Sequence, residues 1–289
     1  MKQPIFCGVC TALVTPFLDD KVNYLLLEQL LRFQMENSID AVVLSGTTGE
    51  SPTLSDEEKI NIFKCGKKFV GNRLPIIAGT GSNSTEHAIK LSKQAEDTGV
   101  DALLVVSPYY NKGNPDGLYR HFLAIAESVQ IPIILYNVPS RTGIDIPVSV
   151  YQKLSAVPNI VGVKEASTDI TKITKIRAAC CEDLHIWTGN DDQTVPVISL
   201  GGKGVISVVS NLLPVETVMM AKSALAGDFN TAADLQCRLS YLIETLFKEA
   251  NPIPVKHAMK MVGFDCGKCR LPLGDPSPET ISILTELLK

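Results

Sequence analysis

Residues 102–136 read ALLVVSPYYNKGNPDGLYRHFLAIAESVQIPIILY. An apolar run, Ala102 to Ser107, ends in Pro108-Tyr109-Tyr110-Asn111, an amphipathic stretch from Asp116 to Val129 follows, and a second apolar run, Ile131 to Tyr136, closes the unit. Runs without polar alternation are the pattern of strands buried on both faces of a parallel sheet. The amphipathic stretch between them is the crossover helix that parallel neighbours require.

The same unit repeats in both directions. Further strand candidates are Gly8 to Val14, Ala41 to Leu44, Leu74 to Ala78, Ile160 to Lys164, His185 to Thr188 and Gly204 to Val209. Asn23 to Asn37, Ser55 to Phe69, Ser84 to Thr98 and Asp169 to Ala179 carry apolar residues at helical spacing. Ser55-Asp56-Glu57-Glu58 is a capping-box sequence, and Ser84 or Asn83 can cap the next helix. Eight strand–helix units within the first 226 residues predict an α/β fold, a (β/α)8 TIM barrel. A doubly wound open sheet is the competing architecture, although no G-x-G-x-x-G follows the first strand. From residue 227 to 289 the pattern turns helical only: Thr231 to Glu249, Pro254 to Val262 and Glu279 to Leu288, with prolines at the turns. The predicted organisation is therefore a barrel over 1–226 and a small C-terminal helical domain over 227–289.

Composition narrows the function classes. Of 289 residues 45% are hydrophobic, and 27 basic side chains face 31 acidic ones. Such a chain buries enough apolar surface to exclude disorder, and it lacks the basic footprint of a nucleic-acid binder. No 18-residue apolar stretch suggests a membrane span. Met1-Lys2 before Ile5 to Val14 loosely imitates a signal peptide, but Pro4 interrupts it and Thr15-Pro16-Phe17 ends it without a small-residue cleavage pattern, so a buried first strand is expected. Eight cysteines in a chain of this size read as reduced thiols of a cytoplasmic protein. Cys7/Cys10 and Cys266/Cys269 form two C-x-x-C pairs, yet residues three apart on a strand point to opposite faces, which suits chelation poorly. His87, His121, His185 and His257 show no metal-ligand spacing, so neither metal nor cofactor is expected.

In a barrel the chemistry sits at the C-terminal ends of the strands. Lys164 ends the sixth strand and should point its amine into the barrel mouth, where burial disfavours an ammonium and a neutral amine can attack a ketone to form an imine. Tyr136 ends the preceding strand and can move protons beside it. Thr47 and Thr48, in the glycine-flanked turn Gly46 to Ser51, offer hydroxyls and backbone N–H groups to a small carboxylate. Arg141 offers a fork to a second carboxylate. Each has a plain structural alternative: a lysine snorkelling to solvent, a core tyrosine, an ordinary turn, a surface arginine. Four such signals at corresponding strand ends favour a site. Leu200-Gly201-Gly202-Lys203-Gly204 looks like a phosphate loop but precedes the last strand, on the opposite face; Lys172 and Lys175 are expected on a solvated helix face.

G-T-T-G-E-S at Gly46 to Ser51, P-Y-Y-N at Pro108 to Asn111, Y-N-V-P-S-R-T-G at Tyr136 to Gly143 and G-V-K-E-A-S at Gly162 to Ser167 resemble the dihydrodipicolinate synthase family of pyruvate-dependent class I aldolases. The resemblance runs through essentially the whole chain, including Asn251 to Lys256. It implies a Schiff base between Lys164 and pyruvate, whose enamine attacks L-aspartate-4-semialdehyde in the diaminopimelate and lysine pathway. It makes Tyr136 the proton donor and acceptor, linked through Thr47 to Tyr110 of a neighbouring subunit in a homotetramer. Thr48 holds the pyruvate carboxylate, Arg141 the aldehyde's carboxylate, and Gly189 and Ile206 line the pocket. N-acetylneuraminate lyases and sugar-acid aldolases lack the arginine, which makes them weaker alternatives; a keto-acid-binding pseudoenzyme is a further one. The family's lysine-sensitive members bind L-lysine at a subunit interface through residues of which Ser51, Asn83 and Tyr109 are kept here. The two histidine positions are Asp56 and Lys59, and the glutamate position is His87. The resemblance thus implies weak or absent inhibition by L-lysine.

Overall fold

The computed structural model describes residues 2–289. Eight parallel strands close into a barrel: β1 (Gly8–Ala12), β2 (Ala41–Leu44), β3 (Ile76–Gly79), β4 (Ala102–Val106), β5 (Ile133–Asn137), β6 (Ile160–Glu165), β7 (His185–Thr188) and β8 (Gly204–Ser207), with β8 returning to pair with β1. The fold is the TIM barrel expected, and the open sheet is excluded by that closure. Strand parity divides the core in two. Cys10, Val43, Ile77, Leu104, Ile134, Trp187 and Ile206 fill the barrel interior. Their alternate neighbours Val9, Val42, Ile76, Leu103, Leu135 and Val205 pack outward against the helices. A sheet buried on both faces has no polar face to show, hence the unbroken apolar runs.

The helices are α1 (Tyr24–Glu36), α2 (Asp56–Val70), α3 (Thr85–Glu96), α4 (Pro115–Glu127), α5 (Pro139–Thr142), α6 (Val148–Leu154), α7 (Ile170–Cys180), α8 (Thr194–Ser199), α9 (Pro214–Leu225), α10 (Phe229–Phe247), α11 (Ile253–Met261) and α12 (Pro278–Leu287). The capping box at Ser55 forms: its hydroxyl accepts from Glu58 N at 3.1 Å and Glu58 accepts from Ser55 N at 2.9 Å. Ser84 rather than Asn83 caps α3. Asn114 caps α4 and Pro115 takes its first position, where a missing N–H costs nothing. Helices α5, α6, α8 and α9 were not expected. The first three are only 4, 7 and 6 residues long, and α9 carries apolar Val215 and Met219 on the exposed face opposite its buried Thr217, Val218, Met220, Ala221 and Ala224, which blurs the amphipathic period. A small antiparallel hairpin, Phe17–Leu18 with Lys21–Val22, was also missed, two residues per strand being too few to leave a pattern.

All eight cysteines are free; Cys7 is exposed and Cys10 lies inside the barrel. Among the described residues no group of three or more histidine, cysteine, aspartate or glutamate side chains is placed to hold a metal ion, and no helix is long and apolar enough to cross a membrane.

His121 on α4 makes one hydrogen bond, between Nδ1 and Thr85 Oγ1 at 2.9 Å, while its buried Nε2 has no partner. Burial pulls its pKa down from 6.5 to about 4. A histidine kept neutral in the folded chain contributes stability that is complete above pH 6.5 and is lost as pH falls toward 4, because only the unfolded chain takes the proton. At pH 5 the loss is on the order of 2 kcal/mol. Urea denaturation at pH 7 and pH 5 should show the wild type losing that much more than His121→Gln; equal losses would refute it.

Candidate active site

The β5–β6 pairing sets Tyr136 opposite Lys164 and Asn137 opposite Glu165. Side chains alternate across a strand, so the first pair faces the barrel interior and the second faces the helices. Lys164 is 5% exposed, and its Nζ lies 4.4 Å from the centroid of the Tyr136 ring. Gly189, after β7, makes room for it: a Cβ there would fall 2.8 Å from Lys164 Cε and 2.7 Å from Ala166 Cβ.

Behind this pair the outward residues form a buried network. Glu165 accepts from Asn137 Nδ2 at 2.8 Å, Ser167 N at 2.9 Å and Tyr151 OH at 3.1 Å, and Lys172 Nζ stands 3.5 Å away. Lys172 also pairs with Asp145. Burial, with Glu165 alongside, pushes the Tyr151 hydroxyl well above its ordinary value, so it stays a donor. The expectation for Lys172 is corrected here: it is buried, not solvated, drawn inward by a carboxylate that has no access to water. Lys175, one turn on, is exposed. The network ties β5 to β6 at the level where Tyr136 and Lys164 project from the other face.

Asp191, in the turn after β7, went unnoticed in the sequence. It is 1% exposed, and its Oδ2 accepts from Val208 N at 2.9 Å and Val209 N at 3.1 Å. Burial pushes its carboxyl up, while hydrogen bonds from Ser207, Val208 and Val209 and the charge of Lys164 pull the other way. No motif marks it; only closure of the barrel brings the β7 and β8 loops to Lys164.

The loop after β2 is held from below by the far end of the chain. Glu50, in the left-handed region at φ 58°, points its carboxylate inward to Lys256 Nζ at 2.8 Å and Arg270 N at 2.8 Å. Asn251, just before α11, donates from Nδ2 to Thr48 Oγ1 at 2.9 Å and accepts on its main-chain oxygen from Arg141 Nη2 at 3.1 Å. The sequence assigned no role to Asn251, although it opens the Asn-Pro-Ile-Pro turn.

A cavity of about 410 Å³ is lined by Thr47, Thr48, Tyr136, Arg141, Lys164 and Gly189, bringing together six of the eight expected site residues. Ile206 is fully buried in the adjoining core. Tyr110 is not in this cavity: it is 88% exposed, at φ 73°, with its backbone held to Thr142 O at 3.2 Å. A second cavity of about 260 Å³ adjoins the first, sharing Thr47, Tyr136 and Arg141 and reaching Lys59, His87 and Tyr109. There His87 pairs with Asp56 at 2.9 Å, while the Lys59 side-chain amine makes no hydrogen bond or ion pair among the described residues, and burial pulls its pKa below the usual value. The larger cavity thus holds an amine, a phenol, two hydroxyls and a guanidinium, a set that suits a keto acid and a second carboxylate.

Comparison with known proteins agrees with this chemistry. The family model of the dihydrodipicolinate synthetase family matches residues 5–289. The 4-hydroxy-tetrahydrodipicolinate synthase of Acetivibrio thermocellus is 46% identical over 289 residues, 100% of this chain and 98% of that one. The crystal structure of dihydrodipicolinate synthase from Aquifex aeolicus superposes with a TM-score of 0.96 at 43% identity, covering 98% of this chain and 97% of that one. A chloride-inhibited dihydrodipicolinate synthase from Acinetobacter baumannii, solved in complex with pyruvate, does so with a TM-score of 0.95 at 40% identity, again over 98% and 97%. Likeness on this scale leaves no part of the barrel or of the closing helices unmatched, and the chain belongs to the dihydrodipicolinate synthetase family.

Proposed function

We propose that the chain condenses pyruvate with L-aspartate-4-semialdehyde to 4-hydroxy-tetrahydrodipicolinate through a Schiff base on Lys164. Its class, an aldolase-type lyase, follows from the family. The observation that carries the reading is a buried lysine amine at the end of a barrel strand, beside a phenol and facing a cavity of about 410 Å³, roomy enough for a small keto acid. The neutral Lys164 amine adds to the ketone carbon of pyruvate, and water leaves to give the imine. Loss of a methyl proton converts this to an enamine, whose carbon bonds to the aldehyde carbon of the second substrate while the aldehyde oxygen takes up a proton. The substrate's own amine then displaces Lys164 by transimination, closing the ring. No cofactor enters, because the imine formed on Lys164, once protonated, supplies the electron sink.

Thr48 holds the pyruvate carboxylate and Arg141 that of the semialdehyde, while Gly189 and Ile206 shape the pocket. Tyr136 moves the protons, with Thr47 leading toward the phenol of Tyr110. Because Tyr110 is exposed on its own chain and outside its own cavity, the relay needs Tyr110 from a second copy, which favours a homo-oligomer, a tetramer in this reading. The cytoplasm is the compartment that suits its thiols and substrates.

The test is intact mass after mixing the protein with pyruvate and borohydride, then peptide mapping, followed by an assay of semialdehyde consumption. One pyruvyl addition on Lys164 together with turnover supports the proposal. A folded protein that gives no adduct overturns it.

L-lysine is expected to inhibit weakly or not at all. An incoming ammonium meets the buried Lys59, and the Asp56 carboxylate is already engaged by His87, so no unpaired carboxylate is offered. Initial rates measured against L-lysine check this; half-inhibition at submillimolar concentration would refute it.

A further inference from the structure

From the position of Asn251 we infer that it is a positioning residue for pyruvate: its side-chain amide fixes the Thr48 hydroxyl so that the hydroxyl proton points at the substrate carboxylate. The inference rests on the pyruvate reading above. Asn251 is 5% exposed and lines the same cavity as Thr48, Arg141 and Lys164, although it lies in the last fifth of the chain. A hydroxyl has one proton and two acceptor sites. When Asn251 Nδ2 donates to Thr48 Oγ1 at 2.9 Å, it fills one acceptor site and leaves the hydroxyl's own proton for a ligand.

The orientation of the carboxamide decides the matter. Turned the other way, Asn251 Oδ1 would take the Thr48 proton, and two N–H donors would occupy the buried place where Oδ1 now stands without a partner. The donating orientation leaves Oδ1 and one N–H unpaired, the turned one would leave both N–H groups unpaired, and a buried orphan N–H is less tolerated than an under-satisfied oxygen, so the donating orientation is the stable one. The main-chain oxygen of the same residue holds Arg141 at 3.1 Å. One residue therefore orients both carboxylate-binding groups, and only its side chain acts on Thr48.

The donor of the carboxamide is the testable element. Asn251→Ala removes the donor, and the pyruvate KM should rise about tenfold, the scale of one hydrogen bond to an ionised group, with kcat changed less than threefold. Asn251→Asp has the same size but, ionised, can only accept. It captures the Thr48 proton and sets a negative charge beside the carboxylate, so the pyruvate KM should rise by about 100-fold and recover as pH falls and the aspartate protonates. In a Thr48→Val background Asn251→Ala should have little further effect on the pyruvate KM. Borohydride trapping of each variant separates this inference from the reaction it serves. If wild type and variants all trap pyruvate but the KM of both Asn251 variants stays within twofold of wild type, or the two substitutions act additively, the positioning role is overturned. If wild type itself traps nothing, the fault lies with the Schiff-base reading. Asn251→Asp, matched in volume, keeps the test open should Asn251→Ala fail to fold.

Discussion

Replacing Lys164 by alanine is expected to abolish the borohydride-reducible pyruvyl adduct and to lower kcat/KM by at least about 10⁴-fold, the scale on which loss of a nucleophile acts. Lys164→Arg should be equally inactive, because a guanidinium does not release its proton and cannot form the imine, even though it preserves the charge that faces Asp191. The pair of variants separates the two roles of the residue: alanine removes charge and nucleophile together, arginine only the nucleophile. Circular dichroism and melting should show both folded. A reducible adduct that persists on another lysine in Lys164→Ala would refute the assignment.

The second large effect concerns stability. The Glu50–Lys256 pair is more completely buried than any other ion pair among the described residues, with side chains 0% and 2% exposed. Removing one partner of such a pair leaves the other charged and dry. Lys256→Met should therefore cost about 3–5 kcal/mol and lower Tm by roughly 10 °C. The double variant Glu50→Gln with Lys256→Met should recover at least half of that loss, since a glutamine oxygen still accepts from Arg270 N while no charge is stranded. If Lys256→Met melts within about 2 °C of wild type, the pair is not the clamp its burial indicates.

The fold was legible because its main feature, a sheet buried on both faces, leaves unbroken apolar runs that local sequence displays. Lys164 and Tyr136 were legible for a related reason: polar residues that end such runs have few structural uses. Arg141, Thr47 and Thr48 added motif to position. What stayed hidden was whatever depends on distant pairing. The burial of Lys172 follows from Glu165 and Asp145, which lie outside its helix, so helical spacing alone placed it in solvent. Asp191 has no neighbour in sequence that announces a site. Asn251 meets Thr48 across 203 positions, and no local pattern encodes that meeting. Helix α9 escaped because apolar Val215 and Met219 on its exposed face remove the polar contrast by which helices are recognised.

The clamp on the loop after β2 also orders events in time. A chain leaving the ribosome has released all eight barrel strands once Ser207 is out, and the barrel can then close. Thr48 and Arg141 at that moment lack Asn251, and Glu50 lacks both Lys256 and Arg270. In the mechanism proposed above, catalytic competence is thus deferred to the end of synthesis, and a nascent or C-terminally clipped barrel would carry the Lys164 amine without the carboxylate grip assigned to Thr48 and Arg141.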